Sequence, residues 1–195
     1  LDETGFRPGD ITDVFLTHLH FDHCGGAISR TNGQLVTAFP NATYWSNKEH
    51  WAWVTAPNDR QKASFLKENI LPIEESGRVK FIEVKEGIPF SNNISVRFVN
   101  GHTQAMMLPQ INFNGKTIVY MADLLPSTGH IPIPYVMAYD MQPLVTLNEK
   151  KSFLQEAVDG QYVLFFEHDP VNECCELQRT DKGIRAGRTF RLSER

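Results

Sequence analysis

The 195 residues are 41% hydrophobic and 22% charged, a balance that supports one globular domain, residues 1–195, with a sizeable core and excludes a disordered tail or a disulfide miniature. Nineteen basic against twenty-three acidic residues give a formal net charge of −4 with no Lys/Arg block, so the cationic footprint of a nucleic-acid binder is missing. The longest apolar runs, such as residues 162–166, fall far short of the roughly 18 to 20 needed to span a bilayer.

In chain order, residues 1–5 read as the last turn of a helix closed by Gly5, so the chain is expected to begin within a domain, with any targeting signal lying upstream. Asp13 to Thr17 is a short apolar strand running into His18, and Gly25-Gly26 precede a short helix or turn at residues 27–29. Thr43 to Trp45 is a strand, and helical patterns follow from Lys48 to Val54 and from Asp59 to Asn69. Val79 to Val84 and Ile94 to Val99 are β-rich. Ile111 to Phe113 and Thr117 to Met121 form a hairpin across the turn dipeptide Asn114-Gly115, and the second strand delivers Asp123. After a Pro-rich loop (Pro126, Pro132, Pro134), a helix from about Thr146 to Val158 leads into a strand, Tyr162 to Phe166, that ends near His168. A last hairpin, Glu176 to Arg191, turns at residues 181–183. Strands and helices are mixed throughout, an α/β (α+β) class.

Three cysteines, Cys24, Cys174 and Cys175, make no even framework and read as reduced thiols of a reducing, cytoplasmic compartment. Cys24 is expected to be a small buried thiol beside the glycines rather than a ligand.

The chemistry concentrates in Thr17-His18-Leu19-His20-Phe21-Asp22-His23. With seven His and ten Asp in the chain, this pattern arises by chance roughly a few times in ten thousand such sequences. In extended backbone, residues two apart point the same way, so His18 and His20 can grip one cation while Asp22 and His23, past the bend, face a second. Two metals are implied, or one with a spare shell. Three neighbouring imidazoles repel on protonation unless a metal keeps them neutral. Further donors stand after β-runs: His102 in Gly101-His102-Thr103, Asp123 in Ala122-Asp123-Leu124, and His168 beside Asp169. A carboxylate such as Asp123 can bridge two cations about 3.5 to 4 Å apart. Thr17, Thr103 and the backbone near Gly25 are candidates for orienting the imidazoles. His50, flanked by Trp51 and Trp53, is expected in the core or on the surface, and the roles of His130, Tyr135 and Tyr139 stay open.

His18-x-His20-x-Asp22-His23, then Gly101-His102-Thr103, Asp123 and His168, resemble in order and gaps the motifs of the metallo-β-lactamase superfamily of metal-dependent hydrolases. The resemblance covers roughly Asp10 to His168 and implies an αββα sandwich whose opening strands are missing from this chain. It also implies a dinuclear centre, with His18, His20 and His102 on one metal, Asp22, His23 and His168 on the other, and Asp123 bridging. Two divalent ions are implied as cofactors, zinc first and iron or manganese as alternatives. Asp22 and Asp123 are the candidate catalytic residues. His23 replaces the Arg and Asp123 the Cys usual in zinc β-lactamases, and His20 replaces the Glu of flavodiiron proteins. Gln104 follows Gly101-His102-Thr103 where glyoxalase II proteins and many lactonases have Pro, and Pro126 stands where lactonases have Tyr. The overall similarity is greatest to the branch of methyl parathion hydrolase and lactonase-like relatives. The expected function is hydrolysis of an ester, lactone or phosphoester-type bond by hydroxide held on the two metals. The alternatives are a mononuclear iron oxygenase of the same fold or an inactive metal-binding fragment. The expected partner is a small-molecule substrate, with no nucleic acid and no membrane; a homodimer stays open.

Overall fold

The computed structural model describes residues 1–194. The chain divides into two compact units, Leu1–Val84 and Lys85–Arg195. With four α-helices and several β-sheets among the described residues, the mixed α/β class expected from the sequence is the one found. No helix among those residues is long and apolar enough to cross a membrane.

The first unit begins with a 3-10 turn, Asp2–Thr4, that Gly5 ends at a φ of 79°, the left-handed conformation read from the sequence. Its sheet has three parallel strands in the order β1 (Asp13–Phe15), β4 (Thr43–Asn47) and β5 (Val79–Ile82). Between β1 and β4 come the one-turn helix α1 (Phe21–Cys24) and an antiparallel hairpin, β2 (Ile28–Thr31) and β3 (Gln34–Thr37). A 3-10 turn at Gly25–Ala27 accounts for the start of the short helix or turn expected at residues 27–29, while Ile28 and Ser29 already belong to β2. Asn32 and Gly33 both take positive φ, 51° and 82°, the signature of the tight turn that joins the two strands.

Helix α2 (Lys48–Thr55) follows β4 directly, and the Asn47 side chain caps it by accepting from the His50 amide at 2.8 Å. Helix α3 (Lys67–Glu75) starts eight residues later than its sequence pattern suggests. The Asn58 carboxamide oxygen accepts from the amides of Arg60 and Gln61, each at 3.0 Å, and this local turn competes with a helix over that stretch. Tyr44, Leu19 and Ile73 are fully buried at the centre of the unit, and the Tyr44 hydroxyl accepts from the Phe39 amide at 3.0 Å.

The second unit is built on a seven-stranded sheet. Its strands are β6 (Ile88–Ser91), β7 (Ile94–Val99), β8 (Met106–Phe113), β9 (Lys116–Tyr120), β10 (Val163–Phe165), β11 (Cys174–Thr180) and β12 (Gly183–Phe190). The order is β12-β11-β10-β9-β8-β7-β6, sequential throughout. Every pairing is antiparallel except β9 with β10, which are parallel and need a crossover. Helix α4 (Pro143–Asp159) supplies it.

Strand β8 runs five residues further back than the hairpin read from the sequence, because Met106, Met107 and Leu108 are buried without alternation. The hairpin turn Asn114-Gly115 is as expected, with φ of 51° and 74°. Phe153, Leu154 and Ala157 of α4 pack with Val99, Met106, Leu108, Val119 and Leu164 of the sheet. Each large side chain buried in this way contributes about 1.5 to 3 kcal/mol.

Candidate functional site

In the first unit, β1 stops at Phe15, but Leu16 still pairs with the neighbouring strand through its amide and the Trp45 carbonyl at 3.0 Å. The chain then bends at Thr17 and again at His20, which turns into α1 with φ −63° and ψ 149°. The His20 carbonyl accepts from the amides of His23 and Cys24, each at 3.0 Å, and this bend puts Asp22 and His23 on a helical turn. His18 is fully buried and His20 nearly so. The ring centroid of His18 lies 4.7 Å from that of His20 and 3.9 Å from that of His23. Asp22 Oδ2 is 3.6 Å from His23 Nε2. The four motif residues are thus gathered in one place, as their spacing predicts.

The packing around them is specific. Thr17 Oγ1 sits 3.2 Å from His18 Nδ1, the supporting contact expected of it. The Leu19 amide donates to His50 Nε2 at 2.9 Å, so His50 is a core residue that pins the backbone between His18 and His20. Cys24 Sγ donates to the Leu19 carbonyl at 3.4 Å, and burial pushes its thiol up to about 12, which keeps it a protonated packing group rather than a thiolate. The Gly25 amide donates to the Phe21 carbonyl and closes α1. Gln61, which no motif marks, places its Nε2 3.0 Å from His20 Nε2.

In the second unit, three sheet loops deliver the remaining donors. After β7, the Glu149 carboxylate on α4 accepts from the amides of Asn100 at 2.7 Å and Gly101 at 3.0 Å, fixing the turn that presents His102. After β9, Ala122 takes a φ of 40°, a strained value for a residue with a Cβ, and Asp123 follows it. After β10 comes His168. Asp123 Oδ2 is 3.0 Å from His102 Nε2, and Asp123 Oδ1 is 3.3 Å from His168 Nε2. One nearly buried carboxylate therefore faces an imidazole nitrogen with each of its oxygens.

His102 Nδ1 lies 3.0 Å from Asp140 Oδ1, and both side chains are buried. Burial opposes a charge on this ring, but hydrogen bonds with Asp123 and Asp140 outweigh it and hold the His102 pKa above its ordinary value. Thr103 is fully buried, and its hydroxyl has no hydrogen-bond partner among the described residues, so the support for His102 comes from Asp140. Asp140 lies 38 positions from His102 in a loop without a motif, and no sequence signal marks it. The same loop is anchored by the fully buried Lys150, whose Nζ donates to the carbonyls of Pro132 at 3.2 Å and Ile133 at 3.3 Å. His130 Nδ1 is 2.9 Å from Ser127 Oγ, while Tyr135 and Tyr139 are exposed.

A carboxylate behind an imidazole fixes its orientation and raises its basicity toward a cation on the other nitrogen. Asp140→Asn is expected to lower metal affinity about 10- to 100-fold while leaving the fold intact, measured by competition with a chelating dye.

Asp169, beside His168 in sequence, joins two loops. Its carboxylate accepts from Thr128 N at 2.9 Å, Thr128 Oγ1 at 2.7 Å, Val171 N at 3.0 Å and Asn172 N at 2.8 Å. Desolvation raises its pKa, but these hydrogen bonds win and depress it well below the usual carboxylate range. The folded state thus favours the charged form. The resulting stability is present above the unfolded carboxylate pKa of about 4 and is lost as pH falls through the lower folded value. Thermal melts from pH 7 to 3 are expected to show a shallower acid decline for Asp169→Asn than for the wild type.

The donors of both units are imidazole nitrogens and carboxylate oxygens, the set that zinc and related divalent ions take readily. The clustered rings of His18, His20 and His23 and the two-sided carboxylate of Asp123 both fit metal ligation.

The family model described as Metallo-beta-lactamase superfamily matches residues 1–168. No curated protein matches the chain significantly. Among solved structures, a probable metal-dependent hydrolase from Staphylococcus aureus is 26% identical with a TM-score of 0.85, covering 97% of this chain and 65% of that one. AidC, a dizinc quorum-quenching lactonase in complex with a product, N-hexnoyl-L-homoserine, is 23% identical with a TM-score of 0.79, covering 98% of this chain and 69% of that one. The hydrolase AbOPH of the beta lactamase superfamily is 20% identical with a TM-score of 0.80, over 98% of this chain and 69% of that one. The chain therefore spans about two thirds of the length of these relatives.

Proposed function

Given that the chain belongs to the metallo-β-lactamase superfamily, we propose that it is a metal-dependent hydrolase, a single domain with a dinuclear metal centre. His18, His20 and His102 would hold one divalent ion, Asp22, His23 and His168 the other, and Asp123 would bridge them. The observation that carries this reading is the Asp123 carboxylate, which turns one oxygen to the His102 imidazole and the other to the His168 imidazole. When bound, a pair of divalent ions supplies an acidified water as nucleophile and positive charge for the developing oxyanion.

The chain's own residues do the rest. Asp140 orients His102, Thr17 orients His18, and His50 holds the backbone between the two motif histidines. Seven N and O donors exceed what one cation needs, which favours two. Zinc is the first candidate, supported by the donor set and by the dizinc lactonase among the similar folds. The substrate is a small molecule with an ester, lactone or phosphoester-type bond, of the kind turned over in the methyl parathion hydrolase and lactonase-like branch.

The test is elemental analysis of the purified, zinc-reloaded chain with a panel of lactone, thioester, aryl ester and phosphotriester substrates. Two ions per chain and turnover lost on chelation are expected. A stoichiometry near one under metal excess, or activity that survives verified metal removal, would overturn the reading.

A further inference from the structure

Helix α4 sends two adjacent side chains to two different loops. Consecutive residues of a helix point about 100° apart, so Glu149 and Lys150 leave α4 in different directions. Glu149 fastens the turn at Asn100 and Gly101 that presents His102. Lys150 fastens the loop that presents Asp140. Its side chain is fully buried, and the three N–H donors of its ammonium are matched by three carbonyls, those of Pro132 at 3.2 Å, Ile133 at 3.3 Å and Tyr135. Asp140 follows Tyr135 by five residues. Just beyond it, the Met141 amide donates to the His102 carbonyl at 3.1 Å and the Gln142 amide to the Gly101 carbonyl at 2.8 Å. Asp140 is therefore held between two fastenings, one to α4 and one to the backbone of its own histidine partner.

Stability does not account for a lysine at this position. Burial lowers its pKa to about 8 against the opposing charge of Asp140, so the fold disfavours the ammonium that it encloses. An apolar side chain of similar volume is often as stabilising as a buried charge, or more so. What the ammonium supplies is direction, through three hydrogen bonds to one loop and a positive charge that acts on the Asp140 carboxylate.

We propose that Lys150 is a positioning residue of the metal site, holding the Asp140 carboxylate on His102 through the loop it fastens; this rests on the reading of His102 as a metal ligand. Neighbouring residues of one helix then place both halves of the contact, Glu149 the imidazole and Lys150 the carboxylate.

The test is the Zn²⁺ affinity of the full chain, by competition with a chelating dye, in a double-mutant cycle. Lys150→Met keeps the length of the side chain and removes its charge and donors. Alone it should weaken zinc binding about tenfold, within the range expected for Asp140→Asn. In Lys150→Met/Asp140→Asn the affinity should be that of Asp140→Asn, because a loop without its carboxylate has nothing left to misplace. Lys151→Met, at an exposed position of α4, should bind zinc as the wild type does. A merely structural lysine would lower the thermal midpoint and leave zinc affinity unchanged, or its loss would multiply with that of Asp140→Asn; either result overturns the proposal. Should Lys150→Met not fold, Lys150→Gln, which keeps an NH2 group for the loop carbonyls, takes its place in the cycle with the same non-additivity expected. Failure of the wild type to bind zinc at all instead overturns the metal reading beneath the proposal.

Discussion

Asp123→Ala is expected to leave a folded chain that retains little metal and has lost more activity than the about 10- to 100-fold typical of a supporting residue. Asp123 is 6% exposed and faces both His102, at 3.0 Å, and His168, at 3.3 Å. Its removal deletes one donor and takes from both rings the group that gathers them. Asp169→Ala is the control. That side chain joins the loops at Thr128 and Asn172, so its loss should lower the thermal midpoint at neutral pH while metal content stays near wild type. Metal analysis, melting and hydrolysis of both variants check the contrast. Equal activity losses with unchanged metal would contradict the roles assigned.

Gly101→Ala should destabilise the protein by about 3 kcal/mol or more, beyond what most single substitutions cost. A Cβ at Gly101 would sit 2.2 Å from Thr146 Oγ1, 2.3 Å from the Thr146 amide nitrogen and 2.5 Å from its Cα. Two of these three atoms are backbone of α4, so trimming the Thr146 side chain cannot relieve the clash. Either α4 moves away or the Asn100-Gly101 turn gives up its hydrogen bonds to Glu149, and in both cases His102 is displaced from Asp123. Denaturant unfolding and zinc affinity should therefore fall together, and Gly101→Ala/Thr146→Ala should recover little of either.

The sequence by itself determined what short-range geometry can specify. Residues two apart in an extended chain share a face, so His18 and His20 were bound to converge, and a bend before Asp22 was bound to bring His23 alongside them. Asn114-Gly115 could only be a tight turn, and the periodicity of residues 146–158 only a helix. Asn32-Gly33 carried the same turn signal and predicts its hairpin equally well once the flanking residues are read as strands. Tertiary structure decided the rest. The start of α3 depended on whether Asn58 would cap a turn or yield to a helix, two local preferences of similar size. Asp140 and Gln61 reach histidines 38 and 41 positions away, and Glu149 reaches its turn across 49. A single carboxylate, amide or glutamate in a loop or on a helix has no periodicity to mark it. Its partner exists only after strands separated by dozens of residues have paired and α4 has packed down, because a hydrogen bond of about 3 Å is specified by the fold around it and not by spacing along the chain.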